Sequence, residues 1–380
     1  MTSTFLPPRL PPMVPLRRRA GRLDFDLTTL GLGGQGALQW SLDGEDPVKI
    51  ILKARSLGVN FFDTSNLYGP SQSSYGRAFR ELGLVPGVPG YREELRRAVF
   101  LSSKTSLRFA RGGWWREYLR NETNGPRFST AVLDLRRTLS QVFGDGRGWY
   151  PRGSYVDLFL VHAVGSFADV DASYEGYDHS DPRDDCVGVL AALRDFRDGT
   201  NVTGCNPREE RLVRHVGFSG HASPEVMLEV IRRDHLGLLD AVVLPVNAND
   251  RLYASMQDSV VPAAASRGMG VVGMKVFAGG ALCGGKAAWT SGPGDVVRGV
   301  CGGLLPSRRL VEYSLTTPGV HAVLVGVGHV DDDPASCQLT QNFEAAQLRC
   351  GELDDSSRRE VEELAAAVQG GRTNYFQDGR

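Results

Sequence analysis

Short apolar runs recur along the chain, each closing on a polar residue and followed by a stretch of helical periodicity. Residues 59–62 run into Asp63, 98–103 into Lys104, 156–161 into His162, 215–218 into Ser219 and 271–274 into Lys275. Further strand-like runs cover residues 28–33, 241–246 and 322–325. Between them the spacing predicts helices beginning at Asp46-Pro47 and at Ser223-Pro224, where a capping side chain precedes a proline suited to the first helical turn. Other helices are predicted over about 73–82, 129–143, 185–198, 258–267 and 307–316, with 335–348 and 355–368 closing the chain. Eight strand-then-helix units with near-continuous apolar strands fit a parallel sheet covered by helices. The fold class predicted is α/β, a (β/α)8 TIM barrel with long loops at its C-terminal face and a C-terminal helix. A doubly wound open sheet has the same alternation. Polar residues at the ends of five different strands favour the barrel, because only closure converges them on one pocket.

A barrel of this kind needs roughly 250 residues, and the chain has 380. The surplus falls in loops at about 105–127, 163–184, 199–213 and 278–305, and at the two ends. Residues 1–22, with five prolines and Arg17 to Arg19, read as a flexible tail, 23–350 as the barrel, and 351–380 as a helix and tail packed on or beside it.

Composition then narrows the function classes. The chain is 41% hydrophobic and 23% charged, with a net charge of −1, so no basic field draws it to nucleic acid or an anionic membrane. No apolar run approaches the ~18 residues of a spanning helix. The six cysteines are scattered without a CxxC pair, which argues against a disulfide framework or a metal site and for a reducing, cytoplasmic setting.

The strand-end residues carry the candidate chemistry. Singly, Asp63 is a turn former, Lys104 an edge charge, His162 a core histidine and Tyr68 a loop anchor. Together on successive strands of one barrel, those readings require four coincidences. A phenol has a pKa near ~10, too high for efficient proton exchange at neutral pH. A lysine about 4 Å away, at an effective dielectric of ~20, attracts the phenolate by roughly 4 kcal/mol and is expected to lower that value. Asp63 would hold Lys104 charged, and His162 would orient a carbonyl oxygen against Tyr68. Such a set protonates the oxyanion formed when a hydride reaches a carbonyl carbon, or runs the reverse.

Four segments, in this order, resemble the aldo-keto reductase family: Gly-Val-Asn-Phe-Phe-Asp-Thr-Ser-Asn-Leu-Tyr-Gly at 58–69, Ser-Ser-Lys at 102–104, Val-Asp-Leu-Phe-Leu-Val-His at 156–162 and Val-Gly-Phe-Ser-Gly-His at 216–221. The resemblance spans about 26–349. It implies Tyr68 as general acid/base, tuned by Lys104 and Asp63, with His162 placing the substrate. It also implies NADP or NAD lying extended across the barrel mouth, with a small-molecule carbonyl or alcohol as the reaction partner. Gly31-Leu32-Gly33-Gly34-Gln35-Gly36 matches GxGxxG literally, but no helix opens at Gly36, so the dinucleotide fingerprint of a Rossmann fold is not met.

By the same resemblance, Gly34 and Gln35 lie near the nicotinamide, Ser219 and Gly220 at its carboxamide, and Met274 against its ring. Lys275, with Val276 and Phe277, lies toward the diphosphate, Gly326 near the phosphate-selecting segment, and Asn342 at the adenine. The pattern departs from the family at Gly220, where an asparagine is usual. It departs again near Val243 and Leu244, where a glutamine is usual, and at Met274, where an aromatic residue often stands. Asp331, Asp332 and Asp333 follow Gly326 where NADP-selective relatives carry basic residues; three carboxylates there would repel a 2′-phosphate and weaken NADP selectivity. Trp114, Trp115 and Phe109 could wall a pocket or anchor their loop. The alternatives are a regulatory barrel that binds the nucleotide without hydride transfer, and an isomerase or lyase using the same tyrosine.

Overall fold

The computed structural model describes residues 14–113, 122–179, 181–348 and 352–377. Eight parallel strands close into a barrel in sequential order: β1 (Leu30–Gly36), β2 (Phe61–Asp63), β3 (Phe100–Thr105), β4 (Val156–Val161), β5 (Val213–Ser219), β6 (Leu239–Pro245), β7 (Gly270–Met274) and β8 (Ala322–Val327), which pairs back onto β1. Helices α1 (Val48–Ser56), α2 (Ser71–Glu81), α3 (Ala131–Phe143), α4 (Val189–Asp198), α5 (Pro224–Arg233), α6 (Val260–Ser266), α7 (Ser307–Thr316) and α8 (Gln338–Ala345) follow the strands in turn, and α9 (Asp355–Ala367) comes last. The predicted (β/α)8 architecture is the one found, and the open sheet is excluded by the β8–β1 pairing.

Side-chain alternation decides what each strand does. Phe62 points outward, edge-to-face with Tyr75 and Phe79 of α2. Phe61 points inward and joins Phe100, Leu158, Leu160, Ala241, Val243, Val272, Ala322 and Leu324 in a separate interior cluster. The glycines of β1 belong to this packing: a Cβ on Gly31 would lie 2.6 Å from the Phe61 ring. The GxGxxG match is therefore a strand kept thin where a bulky neighbour needs room. Among the described residues no helix opens before Val48.

Two expectations need correction. Residues 1–22 are not uniformly a flexible tail, since Arg17–Arg19 pairs antiparallel with Asp26–Thr28. That hairpin buries Ala20, Leu23 and Leu27 against the interior cluster, closing the end of the barrel away from the polar strand ends. The absence of a disulfide is also overturned, because Cys283 and Cys301 are bonded across the loop between β7 and α7. Eighteen residues separate them, and the loop returns on itself, a closeness that linear spacing does not reveal. The cysteine argument for a reducing, cytoplasmic compartment thereby loses its support. Among the described residues no helix is long and apolar enough to cross a membrane. The long loops also hold structure of their own: Phe109–Arg111 pairs with Val187–Gly188, and Phe167–Ser173 is a short helix.

Outside the barrel wall a buried ion pair joins the short helix Glu93–Arg97, just before β3, to β4. Asp157 accepts hydrogen bonds from Arg96 at 2.7 Å and from the Leu101 N–H at 2.9 Å, and both charged side chains are about 1% exposed. Removing one partner leaves the other charge buried and uncompensated. Asp157→Ala is therefore expected to cost about 3–5 kcal/mol, read as a lower urea midpoint; a midpoint shift worth under about 1 kcal/mol, in the range of an exposed pair, would contradict it.

Candidate active site

The register of β2 and β3 brings the first two groups together. Asp63 pairs with Ser102, and Lys104, two residues on, shares the inward face at the C-terminal end. Lys104 Nζ donates to Asp63 at 2.5 Å and to the Thr64 carbonyl at 2.8 Å, and the two residues are 1% and 4% exposed. The same ammonium stands 4.7 Å from the centre of the Tyr68 ring. Burial pulls the Lys104 pKa down, but Asp63 and Tyr68 more than offset it, so the ammonium stays charged. Burial raises the Asp63 carboxyl, against the pull of Lys104.

For Tyr68 the outcome differs from expectation. Burial lifts its hydroxyl above the usual 10, and Lys104 opposes the rise without reversing it. The phenol is therefore held protonated at neutral pH. Its loop is fixed from both sides. Asn66 donates at 2.8 Å to Asp134 of α3, and the Asp134 carboxylate also accepts from Thr105, next to Lys104, and from Thr123, each at 2.7 Å. Past Tyr68, Thr64 and Ser71 share a hydrogen bond at 2.9 Å, and Gln72 donates to Thr138 at 2.8 Å. Asp134 thus ties the tyrosine loop to the lysine strand, a role the sequence did not reveal because Asp134 sits unremarkably in a helix.

His162 is 8% exposed. Its Nδ1 shares a 2.6 Å hydrogen bond with Ser219 Oγ, so the hydroxyl expected at the cofactor is engaged with the histidine instead. Its ring meets His221 edge-to-face at 5.1 Å, and it is His221 that lines the cleft. His221 belongs to the Ser-Gly-His run, but nothing in the sequence pattern marks it as part of the cleft. Gly220 is packed among Met227 and Val164.

A cleft enclosing about 1320 Å³ of empty volume runs from Tyr68, Asp63 and Lys104 across the barrel mouth to Asn342. Gly34, Gln35, Met274, Lys275, Val276, Phe277, Gly326 and Asn342 line it, as does the apolar Val243. Phe109 does not, being packed beneath its own loop, and Trp114 and Trp115 lie outside the described residues. Two distant segments complete the rim. Trp289, from the disulfide-closed loop, meets His221 at 5.6 Å and Tyr375 at 5.3 Å, and Phe376 meets His221 at 6.2 Å. The segment bearing Tyr375 and Phe376 is anchored to the loop after β6, through Asn249 to Thr373 at 2.7 Å, Asn374 to Asn247 at 3.1 Å and Gln377 to Asp250 at 2.7 Å. Gly279 accommodates it, since a Cβ there would lie 2.4 Å from the Tyr375 hydroxyl. Among the described residues no cluster of metal-ligating side chains occurs.

A sequence model of the aldo/keto reductase family matches residues 29–291, well over half of the chain. The chain belongs to the aldo/keto reductase family. Membership implies NAD(P)H-dependent oxidoreduction of small carbonyl compounds. Two solved structures from Pseudomonas aeruginosa, both provisionally described as an aldo-keto reductase, are each 21% identical over 87% of this chain, with TM-scores of 0.49. The matches cover 95% and 94% of those chains. No curated protein matches the sequence.

The site also sets a pH dependence. Burial, reinforced by His221, Lys104, Arg108 and Lys275, holds the His162 imidazole well below its usual 6.5. The unfolded chain therefore takes up this proton first. The stability gained is complete above about 6.5 and is lost as pH falls toward the folded value. Asp134 acts in the opposite sense: burial raises it to about 6, so its penalty appears as pH rises through that value. Thermal scans from pH 8 to 5 should show a shallower acid-side loss of Tm in His162→Asn than in the parent; parallel curves would remove His162 as the cause.

Proposed function

We propose that this protein reduces a small-molecule carbonyl compound with NADH or NADPH, Tyr68 delivering the proton to the oxygen while hydride reaches the carbon. The observation that carries the reading is the buried Lys104–Asp63 pair set against Tyr68 at the end of an elongated cleft.

The residues present suit the nucleotide. Asn342 Oδ1 is buried at the far end of the cleft without a hydrogen-bond partner, an acceptor suited to an adenine amino group. Met274, Val276 and Phe277 line the cleft, where a nicotinamide ring could pack, and Gly34, Gln35 and Gly326 line it too. A Cβ on Gly34 would lie 2.6 Å from the Asp63 carbonyl oxygen, so close approach there depends on glycine. When bound, the nucleotide supplies the hydride. The chain's own residues do the rest. Tyr68, held protonated, donates to the developing alkoxide, and the fixed charge of Lys104 stabilises the phenolate left behind. Asp63 keeps that charge in place. His162, neutral and braced by Ser219, positions His221 at the cleft surface. The reverse reaction, oxidation of an alcohol or a sugar, uses the same groups with Tyr68 as base.

Tyr68→Phe should lower turnover by about 10²–10⁴-fold while nucleotide binding, followed by fluorescence titration, is retained. Nucleotide oxidation followed at 340 nm with a panel of aldehydes reads the first part. Full activity in that variant would end the proposal, and nucleotide binding without turnover in the parent would favour a regulatory barrel.

The nucleotide preference follows from charge. Lys104 and Lys275 are the lysines along the described cleft wall, and neither lies at the Asn342 end. Asp331, half-buried, and Asp333, exposed, accept main-chain N–H bonds from Asp333 and Ala335, forming an acidic turn into α8. With no lysine or arginine from the described wall at that end to pair with a 2′-phosphate, kcat/KM for NADH should equal or exceed that for NADPH; a large NADPH preference would refute this.

A further inference from the structure

Asp63 neutralises Lys104, but a second lysine in the cleft has no such partner. Lys275 is partly buried at the end of β7, and its backbone takes a positive φ of 57°, a conformation uncommon for a residue with a side chain. Its ammonium lies 4.6 Å from the centre of the Trp289 ring and 5.6 Å from that of Phe376. Among the described residues no carboxylate and no hydrogen-bond acceptor reaches it. The one carboxylate of Asp63 is already spent on Lys104, and Asp295, also on the cleft wall, is held by Lys286 and Ser291.

The position of this charge separates it from the adenine end. Trp289 and Phe376 both touch the His221 ring, and His221 packs on His162. Lys275 also acts electrostatically on Lys104 and His162. Burial, with the repulsion of Lys104, draws its pKa down to about 8, which leaves it mostly charged at neutral pH. A partly desolvated ammonium held by ring faces alone leaves its N–H donors without acceptors. An anionic oxygen arriving beside it gains a charge-assisted hydrogen bond and relieves the repulsion from Lys104.

We propose that Lys275 is a specificity residue that binds a carboxylate on the substrate, so that the preferred substrates are carbonyl compounds carrying a carboxylate at the rim side of the reacting carbon. This rests on the reductase reading above and adds the substrate class to it. Trp289 and Phe376 then serve twice, holding the ammonium in place and covering the carbon skeleton between carboxylate and carbonyl. The expectation that Lys275 meets the cofactor diphosphate is the competing use of the same charge.

The test compares 4-carboxybenzaldehyde with 4-formylbenzamide, a pair matched in shape and differing in charge, on the full-length protein saturated with its preferred nucleotide. The parent should favour the carboxylate by at least about tenfold in kcat/KM. Lys275→Met should collapse that ratio toward one, chiefly through the KM of the carboxylate, and Lys275→Arg should restore part of it. A parent ratio near one, or an equal loss on both aldehydes, would overturn the assignment. So would a loss confined to the KM of the nucleotide, which would give the ammonium to the diphosphate. Calorimetric binding of the two aldehydes to the nucleotide complex gives the same ratio without turnover. A protein that binds the carboxylate selectively but reduces neither compound therefore refutes the reductase reading and leaves the binding site standing.

Discussion

The ion pair between Lys104 and Asp63 constrains the rest of the mouth. Two charges buried at this depth are tolerated only while each holds the other, and removing either would strand its partner at a cost of several kcal/mol. The barrel satisfies this through strand register rather than through side-chain freedom. With Asp63 opposite Ser102, the lysine two residues further on is delivered to the carboxylate by the pleat itself. A slip of one residue would turn Lys104 into the layer between strand and helix, among apolar side chains.

That geometry explains why the surroundings are so heavily tied. Tyr68 lies on a loop, and loops move unless something holds them. Asp134 does this from α3 by binding Asn66 before the tyrosine and Thr105 after the lysine, so the tyrosine loop and the lysine strand share one anchor. At the neighbouring strand β4, Arg108 binds Asp169 and the carbonyl oxygens of His162 and Ala163, fixing the strand end from which His162 projects. Asp63, Lys104 and His162 stand at or just past strand ends, but their placement is fixed by polar contacts a layer further out.

The legible part of this protein was the part written in local pattern. Apolar runs and helical spacing mark the eight strands, and Asp63, Lys104 and His162 stand out because each ends an apolar run with a polar group. What escaped was contact between segments far apart in sequence. Cys283 and Cys301 looked unrelated because nothing in the intervening residues marks a return of the chain. Arg17 to Arg19 looked like a tail because three arginines beside prolines do not resemble a strand, yet pairing with Asp26–Thr28 closes the barrel end. The phenol of Tyr68 was expected to be lowered by Lys104. Burial, which a sequence does not report, outweighs the lysine.

The same limitation hid the rim. Trp289, Tyr375 and Phe376 come from a loop and a chain end some eighty residues apart in the numbering, and none lies near a motif. In space they form one aromatic wall above His221 and Lys275. The disulfide gives that wall a fixed footing, since Cys283 and Cys301 both line the cleft and bracket the loop that carries Trp289. Closing a loop of this length removes conformers in which the indole would swing away from the mouth. The floor of the site thus carries a neutralised charge pair beside Tyr68. The rim differs: no carboxylate among the described residues reaches the Lys275 ammonium there, and the three rings are held by contacts outside the Lys104–Asp63 pair.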